Sequence, residues 1–129
     1  MCIFCEIVKG NIPSSKVYED ERSIGILDIS QATKGHTLII PKKHYDNILD
    51  MPDDEYAALM LKAKETAHKL KKLNPNGFNI LSNINPAAGQ SVMHAHIHII
   101  PRYDENDGIS IDFKENKEDL EKILSVINS

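Results

Sequence analysis

The chain has 129 residues, of which 41% are hydrophobic and 26% are charged, and its formal net charge is −4. These values are typical of a single globular domain with a buried core and exclude a disordered or fibrous protein. The basic residues are scattered and form no stripe for a long nucleic acid, although a small nucleotide needs only a pocket. No secretory signal or membrane-spanning apolar run is present, and Cys2 and Cys5 are the only cysteines, so we expect a cytoplasmic protein without a membrane partner.

The first half of the chain predicts a short helix followed by three strands. The helical stretch begins at the cysteine pair and ends near Gly10. Residues 30–35 have the composition of a loop before the third strand, which Pro41 stops. The three strands are predicted from β-branched residues between turn signals, over residues 17–18, 23–28 and 36–40.

The second half predicts a long helix, two more strands and a terminal helix. The segment Asp50–Glu55 is typical of a helix start, because an acidic cap precedes Pro52 and further carboxylates complement the helix dipole. Apolar residues then recur at helical spacing from Tyr56 to Leu70. Strands are predicted over residues 78–83 and 92–101, before a short amphipathic helix near the C-terminus. Strands joined mostly by turns, with a segregated helix, indicate an α+β fold on an antiparallel sheet.

Residues 93–102, Met-His-Ala-His-Ile-His-Ile-Ile-Pro-Arg, hold three of the six histidines in the chain. Side chains alternate between the two faces of a strand, so we expect His94, His96 and His98 to lie on one face. Neutral imidazoles side by side gain little, and charging them together is repulsive. A ligand or a reaction is therefore needed to account for the pattern.

Two hypotheses compete for the three histidines: a metal site and a histidine nucleophile. Attack on phosphorus needs hydrogen-bond donors for the non-bridging oxygens and a close backbone approach that glycine permits. The preceding loop supplies Gly89, Gln90 and Ser91, with Asn83 leading into it. A metal site would favour carboxylates, and residues 83–98 contain none. The loop therefore favours phosphorus chemistry.

These residues resemble the signature of the histidine-triad (HIT) family, in which three histidines alternate with apolar residues. Upstream, Leu27-Asp28-Ile29 and residues 35–44, Gly-His-Thr-Leu-Ile-Ile-Pro-Lys-Lys-His, are similar to the first half of that family, and the N-terminal Cys-x-x-Cys is similar to its bacterial-type members. The resemblance implies a HIT-like fold, with an antiparallel sheet of about five strands, one long central helix and a short C-terminal helix. We expect a histidine-triad domain over residues 1–103 and a tail over residues 104–129 that packs on the same domain.

The resemblance also implies roles for individual residues. His96, the middle histidine, would attack the α-phosphorus of a purine nucleotide conjugate and form a nucleotidyl-histidine intermediate that water resolves. His98 would steady the phosphate, while Ser91 and Gln90 would bind it or protonate the leaving group. The remaining implied nucleotide contacts are Asp28 at the ribose, Ile29 at the base, and His36, Asn83 and Gly89. His36 has an alternative interpretation as a structural strand-edge histidine. Leu27, Phe4 and Ile7 would wall the base pocket with Ile29, and each of these four has an alternative interpretation as a core residue.

The implied activity is hydrolysis of nucleoside 5′-phosphoramidates, with release of a nucleoside monophosphate and without an organic cofactor. Hydrolysis of dinucleoside polyphosphates is the alternative within the same chemistry. Two further hypotheses stay open: a nucleotide- or partner-binding module with incidental hydrolysis, and a hydrolase with zinc at the catalytic centre. Members of the family pair as homodimers, and the long helix with an unpaired strand edge is compatible with that here.

The cysteine pair Cys2-x-x-Cys5 has three interpretations. A redox pair would need a β-α-β setting that the sequence does not predict. Two idle thiols at a frayed end are the second interpretation. Zinc-bearing members of the family imply the third, a closed structural zinc site whose other ligands map onto His44 and His94.

The chain departs from the family pattern in two loops. Residues 30–34 read Ser-Gln-Ala-Thr-Lys, where many relatives have a proline. Asn85-Pro86 replaces a glycine-rich stretch at the start of the expected phosphate loop. We expect the histidines and the residues Asn83 and Gly89 to Ser91, which are intact, to keep the site functional.

Overall fold

Five antiparallel strands form one sheet in the computed structural model, which describes residues 1–129. The strands are β1 (Lys16–Glu19), β2 (Ser23–Leu27), β3 (Thr37–Pro41), β4 (Gly77–Leu81) and β5 (Ile97–Arg102), in the spatial order β1-β2-β3-β5-β4. The helices are α1 (Ile3–Val8), the long α2 (Asp53–Leu70) and the C-terminal α3 (Leu120–Ile127). This architecture confirms the predicted fold class.

The sheet carries a hydrophobic cluster on each face, because buried residues of β3 alternate between them. Ile39 joins the cluster under α2, together with Leu59 and Ala63 of that helix. Leu38 and Ile40 join the cluster under α1. The register pairs Leu38 with His98, which places this histidine on the α1 face of the sheet.

The start of β5 differs from the prediction. The strand begins at Ile97 and not at residue 92, and residues 92–94 form a bend. The Ala95 N–H donates to the carbonyl of Tyr45, so the backbone here is satisfied by a loop and not by a strand ladder. Two of the three histidines therefore precede the strand, but the prediction of one shared face is confirmed. Ala95, Ile97 and Ile99 belong to the cluster under α2. The rings of His94 and His96 contact Phe4 of α1, and His98 lies beside His96 on the same face.

Two other predicted boundaries also shift. β4 ends at Leu81, two residues before Asn83. α2 begins at Asp53, and Pro52 takes the N-cap position without a side-chain hydrogen bond. Asp50 instead ends a 3-10 turn that the side chain of Asn47 caps, so the expected aspartate cap was wrong.

The tail contacts the domain only near its start. Arg102 donates to the carboxylate of Asp107, and the Gly108 N–H donates to the carbonyl of Ala32. Residues 110–129 are all exposed, including the whole of α3. The predicted terminal helix is confirmed, whereas the single chain shows no buried contact between it and the domain. None of the helices combines the length and apolar character needed to cross a membrane.

Candidate active site

The three histidines of the triad divide between two adjacent sites. His96 and His98 line a cavity on the α1 face of the sheet, and their ring centroids are 4.9 Å apart. His94 is fully buried and directs its Nδ1 toward His44 and Cys2. All three rings lie on the α1 face of the sheet, and they divide along the chain: His94 meets the cysteines of α1, whereas His96 and His98 lie further along and line the cavity.

The hydrogen bonding of His96 fixes its tautomer. Its Nδ1 lies 2.7 Å from the carbonyl oxygen of His94, and a carbonyl can only accept, so Nδ1 carries the proton. Nε2 makes no hydrogen bond with the protein and keeps its lone pair. Burial lowers the pKa of His96 below its ordinary value, although the bond to His94 opposes this. His96 is therefore a neutral imidazole near pH 7, with a free nucleophilic nitrogen at the cavity.

A chain of hydrogen bonds likewise orients His98. The Ala32 N–H donates to Nδ1 of His36, which leaves the proton of the neutral His36 ring on Nε2. That Nε2 lies 3.0 Å from Nδ1 of His98 and donates to it, so His98 presents its own Nε2–H as a donor. Burial, together with the neighbouring His96 and His36, lowers the pKa of His98 to about 4.

Asp28 completes this group from the end of β2. Its carboxylate accepts from the Ser30 N–H at 2.8 Å and lies 3.6 Å from Nε2 of His36. Ligand atoms of Asp28, His36 and His98 all lie within 4.8 Å of one another. No carboxylate lies near the triad in the sequence, but the fold brings Asp28 close to it in space.

Hydrogen bonds of the Gln90 side chain hold the loop before the triad in place. Its amide nitrogen donates to the carbonyls of Asp46 (2.6 Å) and Val92 (3.0 Å), and its amide oxygen accepts from the Asn85 N–H (2.7 Å). These bonds use both amide hydrogens, and the residue is buried. Gln90, expected at the phosphate, therefore supports the loop, and the neighbouring exposed Ser91 lines the cavity.

Two further loop residues expected to contact the nucleotide, Asn83 and Gly89, are not among the residues that line the cavity. Gly89 has a φ of +99°, a left-handed conformation that glycine adopts without strain. The Asn83 side chain donates to the Gly89 carbonyl at 3.3 Å. Asn83 and Gly89 thus shape the turn that precedes Ser91.

The cavity beside His96 and His98 has a volume of about 310 Å³ and a mainly apolar wall. All four residues predicted at the base pocket line it, together with several that were not predicted. The predicted residues are Phe4, Ile7, Leu27 and Ile29; the others include Ile3, Ile12, Leu38 and Val92. Asp28 lies at its rim, so a polar end and an apolar end share one cavity.

A second site contains the two cysteines with His44 and His94. Cys2 Sγ lies 3.3 Å from His94 Nδ1, Cys5 Sγ lies 3.4 Å from His44 Nδ1, and the two Nδ1 atoms are 3.1 Å apart. A tetrahedral zinc, with Zn–S of about 2.3 Å and Zn–N of about 2.0–2.1 Å, holds its ligand atoms roughly 3.3–3.8 Å apart. The donor set and its spacing fit a four-coordinate zinc ion.

The outer nitrogens of the two imidazoles support the same conclusion. His94 Nε2 lies 2.8 Å from the carbonyl oxygen of Pro41, and His44 Nε2 lies 3.1 Å from the carboxylate of Asp46. Both partners accept, so each Nε2 is protonated and each Nδ1 has a lone pair for a metal. Asp46 was not predicted, although a carboxylate two residues after a candidate ligand is a usable signal.

The HIT domain family model matches residues 9–105 of the chain. The chain belongs to the HIT domain family. Among curated relatives, an uncharacterized HIT-like protein of Methanocaldococcus jannaschii is 50% identical, with 98% of each chain covered. The adenosine 5′-monophosphoramidase of Saccharomyces cerevisiae is 38% identical over 95% of this chain and 75% of that protein. The adenylylsulfatase of Arabidopsis thaliana is 42% identical over 78% of this chain and 52% of that protein.

Solved structures of HIT proteins agree in fold. A HIT family protein from Bacillus anthracis superposes with a TM-score of 0.91 and 44% identity, covering 98% of this chain and 92% of that chain. A zinc-bound histidine triad family protein from Mycobacterium smegmatis has a TM-score of 0.78 and 37% identity, covering 91% and 84%. This HIT protein is an enzyme of the hydrolase class, because it belongs to the family and its relatives are named for hydrolytic activities.

One positioning contact in the HIT domain was missed. The hydroxyl of Ser82 donates to the carbonyl of His96 at 2.7 Å, where a ladder hydrogen bond would otherwise be expected. A serine at a strand end is a common residue in a common place, so the sequence carries no signal for this role.

Proposed function

We propose that this protein hydrolyses nucleoside 5′-phosphoramidates at the α-phosphorus and releases the nucleoside monophosphate. The observation that carries the proposal is the fixed tautomer of His96, whose free Nε2 faces a cavity with one polar and one apolar end. The yeast relative named as an adenosine 5′-monophosphoramidase supports the substrate class. An adenine base would occupy the apolar end, and the ribose hydroxyls would reach the Asp28 carboxylate.

In the first step, His96 Nε2 attacks the α-phosphorus while the bond from phosphorus to the leaving amine breaks. The amine departs with a proton supplied through the Ser91 hydroxyl. The His94 carbonyl stabilises the charge that develops on the His96 ring, and the His98 Nε2–H donates to a phosphate oxygen. Water then attacks phosphorus and gives up a proton that restores the Ser91 hydroxyl, while the histidine–phosphorus bond breaks and its electron pair returns to Nε2 of the now neutral His96.

Cys2, Cys5, His44 and His94 would hold a structural zinc ion in this proposal. A site closed by four protein ligands contributes folding energy and leaves no position for substrate. The zinc-bound relative from Mycobacterium smegmatis supports this assignment. A homodimer is part of the proposal as well.

Turnover of adenosine 5′-phosphoramidate by the wild type and by His96→Ala tests the nucleophile. We expect the variant to lose about 10³-fold or more in kcat. Lys72→Ala is the control, because Lys72 is exposed just after α2 and does not line the cavity, and this variant should keep full activity. Rapid quenching followed by intact-mass measurement should show an adenylate adduct in the wild type and none in His96→Ala.

Two outcomes would favour the competing functions. A catalytic metal, for which Asp28, His36 and His98 are the candidate ligands, predicts that a brief chelator treatment abolishes turnover in protein that keeps its fold and its adenosine monophosphate affinity. A binding module predicts tight binding of adenosine monophosphate without turnover of phosphoramidate, adenylylsulfate or diadenosine polyphosphate. The proposed mechanism requires turnover that persists in chelator at saturating substrate.

A further inference from the structure

Helix α1 belongs to both sites at once. Its N-cap residue, Cys2, and its own Cys5 contribute thiols to the cysteine–histidine cluster. Its Phe4 and Ile7 line the apolar end of the nucleotide cavity. The Phe4 ring also meets the His96 ring edge-on, with centroids 5.0 Å apart. A change in how α1 is held therefore changes the wall of the cavity.

The attachment of α1 to the rest of the molecule is weak apart from the thiols. Every backbone hydrogen bond made by residues 1–13 stays within that segment. The only side-chain hydrogen bonds from it to the rest of the chain are those of Cys2 and Cys5 to His44 and His94. The remaining contact is apolar packing, and a helix of six residues has little stability of its own.

The polar end of the cavity is held independently of α1. Asp28 follows β2 and bonds to the Ser30 N–H, while His98 lies within β5 and bonds to His36. The loop before Ser91 is fixed by the side chain of Gln90. Detachment of α1 would leave these groups in place.

We propose that metal binding by Cys2, Cys5, His44 and His94 completes the wall that receives the nucleobase, so that the metal controls affinity for the base and not for the ribose phosphate. This inference rests on the proposed function. Because linkage is reciprocal, a nucleotide whose base packs on α1 must tighten metal binding by the same factor. A baseless ribose phosphate must leave metal affinity unchanged.

Calorimetry with adenosine monophosphate and with ribose 5-phosphate tests the proposal on zinc-loaded and chelator-treated protein. Loss of the α1 wall removes the contacts of buried apolar side chains, so adenosine monophosphate should bind roughly tenfold or more weakly without zinc. Ribose 5-phosphate should change by less than about twofold. Cys5→Ser should reproduce the chelated state, and Lys9→Ala, a change at the exposed end of the same segment, should behave as the wild type.

Zinc release to a competing chromogenic chelator gives a second readout that does not depend on activity. Adenosine monophosphate should slow and weaken the release, and ribose 5-phosphate should not. Equal weakening of both ligands on zinc removal, no weakening of either, or protein that binds no zinc would overturn the inference and leave the proposed function standing. Zinc-loaded protein that neither binds adenosine monophosphate nor turns over phosphoramidate would overturn both.

Discussion

One backbone carbonyl fixes the tautomer of His96, the proposed nucleophile. The His94 carbonyl accepts the Nδ1 proton of His96, and the same residue offers its side chain to the cysteine–histidine cluster. This dual use is possible because the His94 ring reaches the cysteines of α1 while its carbonyl oxygen lies 2.7 Å from Nδ1 of the next histidine. One residue thus serves two sites through different atoms.

The pH dependence of turnover follows from the lowered pKa of His96. Burial disfavours the imidazolium, so the free base needed for attack persists below the ordinary histidine pKa of about 6.5. We expect kcat/KM for adenosine 5′-phosphoramidate to stay level from pH 8 to below pH 6.5 and to fall at lower pH. A pH–rate profile corrected for spontaneous hydrolysis measures this. An acid limb centred at or above pH 6.5 would contradict it.

Backbone strain marks the position where the chain departs from the family pattern. Asn85 has φ +72° and ψ +156°, a region occupied almost only by glycine. Its N–H and its carbonyl are both hydrogen-bonded within the loop, which holds the residue there. Such strain costs on the order of 1–3 kcal/mol.

Asn85→Gly should therefore stabilise the protein. Relief of strain outweighs the added freedom of glycine in the unfolded chain, and we expect the free energy of unfolding to rise by about 1 kcal/mol. Asn74→Gly is the control, because Asn74 has φ 59° and ψ 44°, a left-handed conformation that asparagine tolerates. Urea denaturation of the wild type and of the two variants measures the free energy of unfolding of each. Equal behaviour of the two variants would show that Asn85 is not strained.

The start of the tail and the residue before it hold the loop that orients His36. The Gly108 N–H donates to the carbonyl of Ala32, whose own N–H donates to His36. The Tyr103 hydroxyl also donates to the carbonyl of Lys34 at 2.7 Å. Gly108 of the tail and Tyr103, which directly precedes the tail, thus hold a loop that contributes no strand to the sheet.

Gly108→Ala tests whether this clamp matters for the reaction. A Cβ at Gly108 would collide with the Ala32 carbonyl, so the loop must move and His36 with it. We expect a loss of about 1 kcal/mol in unfolding free energy and about tenfold in kcat/KM. Gly77→Ala, where the added Cβ meets nothing within 4 Å, should leave kcat/KM unchanged. Full activity in Gly108→Ala would show that the clamp does not position His36.

The chain exposes an apolar surface between α2 and β4. β4 is an edge strand of the sheet, and Ile80 on it is 46% exposed. Met60, Ala67 and Phe78 line a groove of about 230 Å³ beside it. An exposed strand edge beside an apolar groove is a surface that a second copy of the chain can cover.

We predict that the protein is a homodimer through this surface. Light scattering should give twice the 14.5 kDa mass of one chain. Ile80→Arg should yield a monomer, because it places a charge where the partner strand would pair. Val17→Arg, on β1 at the opposite edge of the sheet, should remain a dimer. A wild-type monomer at micromolar concentration would contradict the prediction.

Local patterns in the sequence were sufficient to predict most secondary-structure elements and the family. The 3.6-residue period of α2, the β-branched runs of β2 and β3 and the histidine spacing need only neighbouring residues to be recognised. The histidine motif and the upstream blocks identified the HIT family because their residues follow one another in order. The ends of the strands were predicted less accurately. A backbone N–H or carbonyl can be satisfied by a neighbouring strand or by a loop, and the local sequence does not distinguish the two partners.

The assignment of side chains to sites depended on tertiary structure. The sequence alone determined that three histidines share a segment and that a glycine loop precedes them. Only the fold decided that Nε2 of His36 donates to His98, that the Ser82 hydroxyl donates to the His96 carbonyl, and that the Gln90 side chain donates to the Asp46 carbonyl. The physical reason is that a hydrogen-bond partner distant in sequence leaves no trace in local composition, whereas a buried polar group must find one when the chain folds.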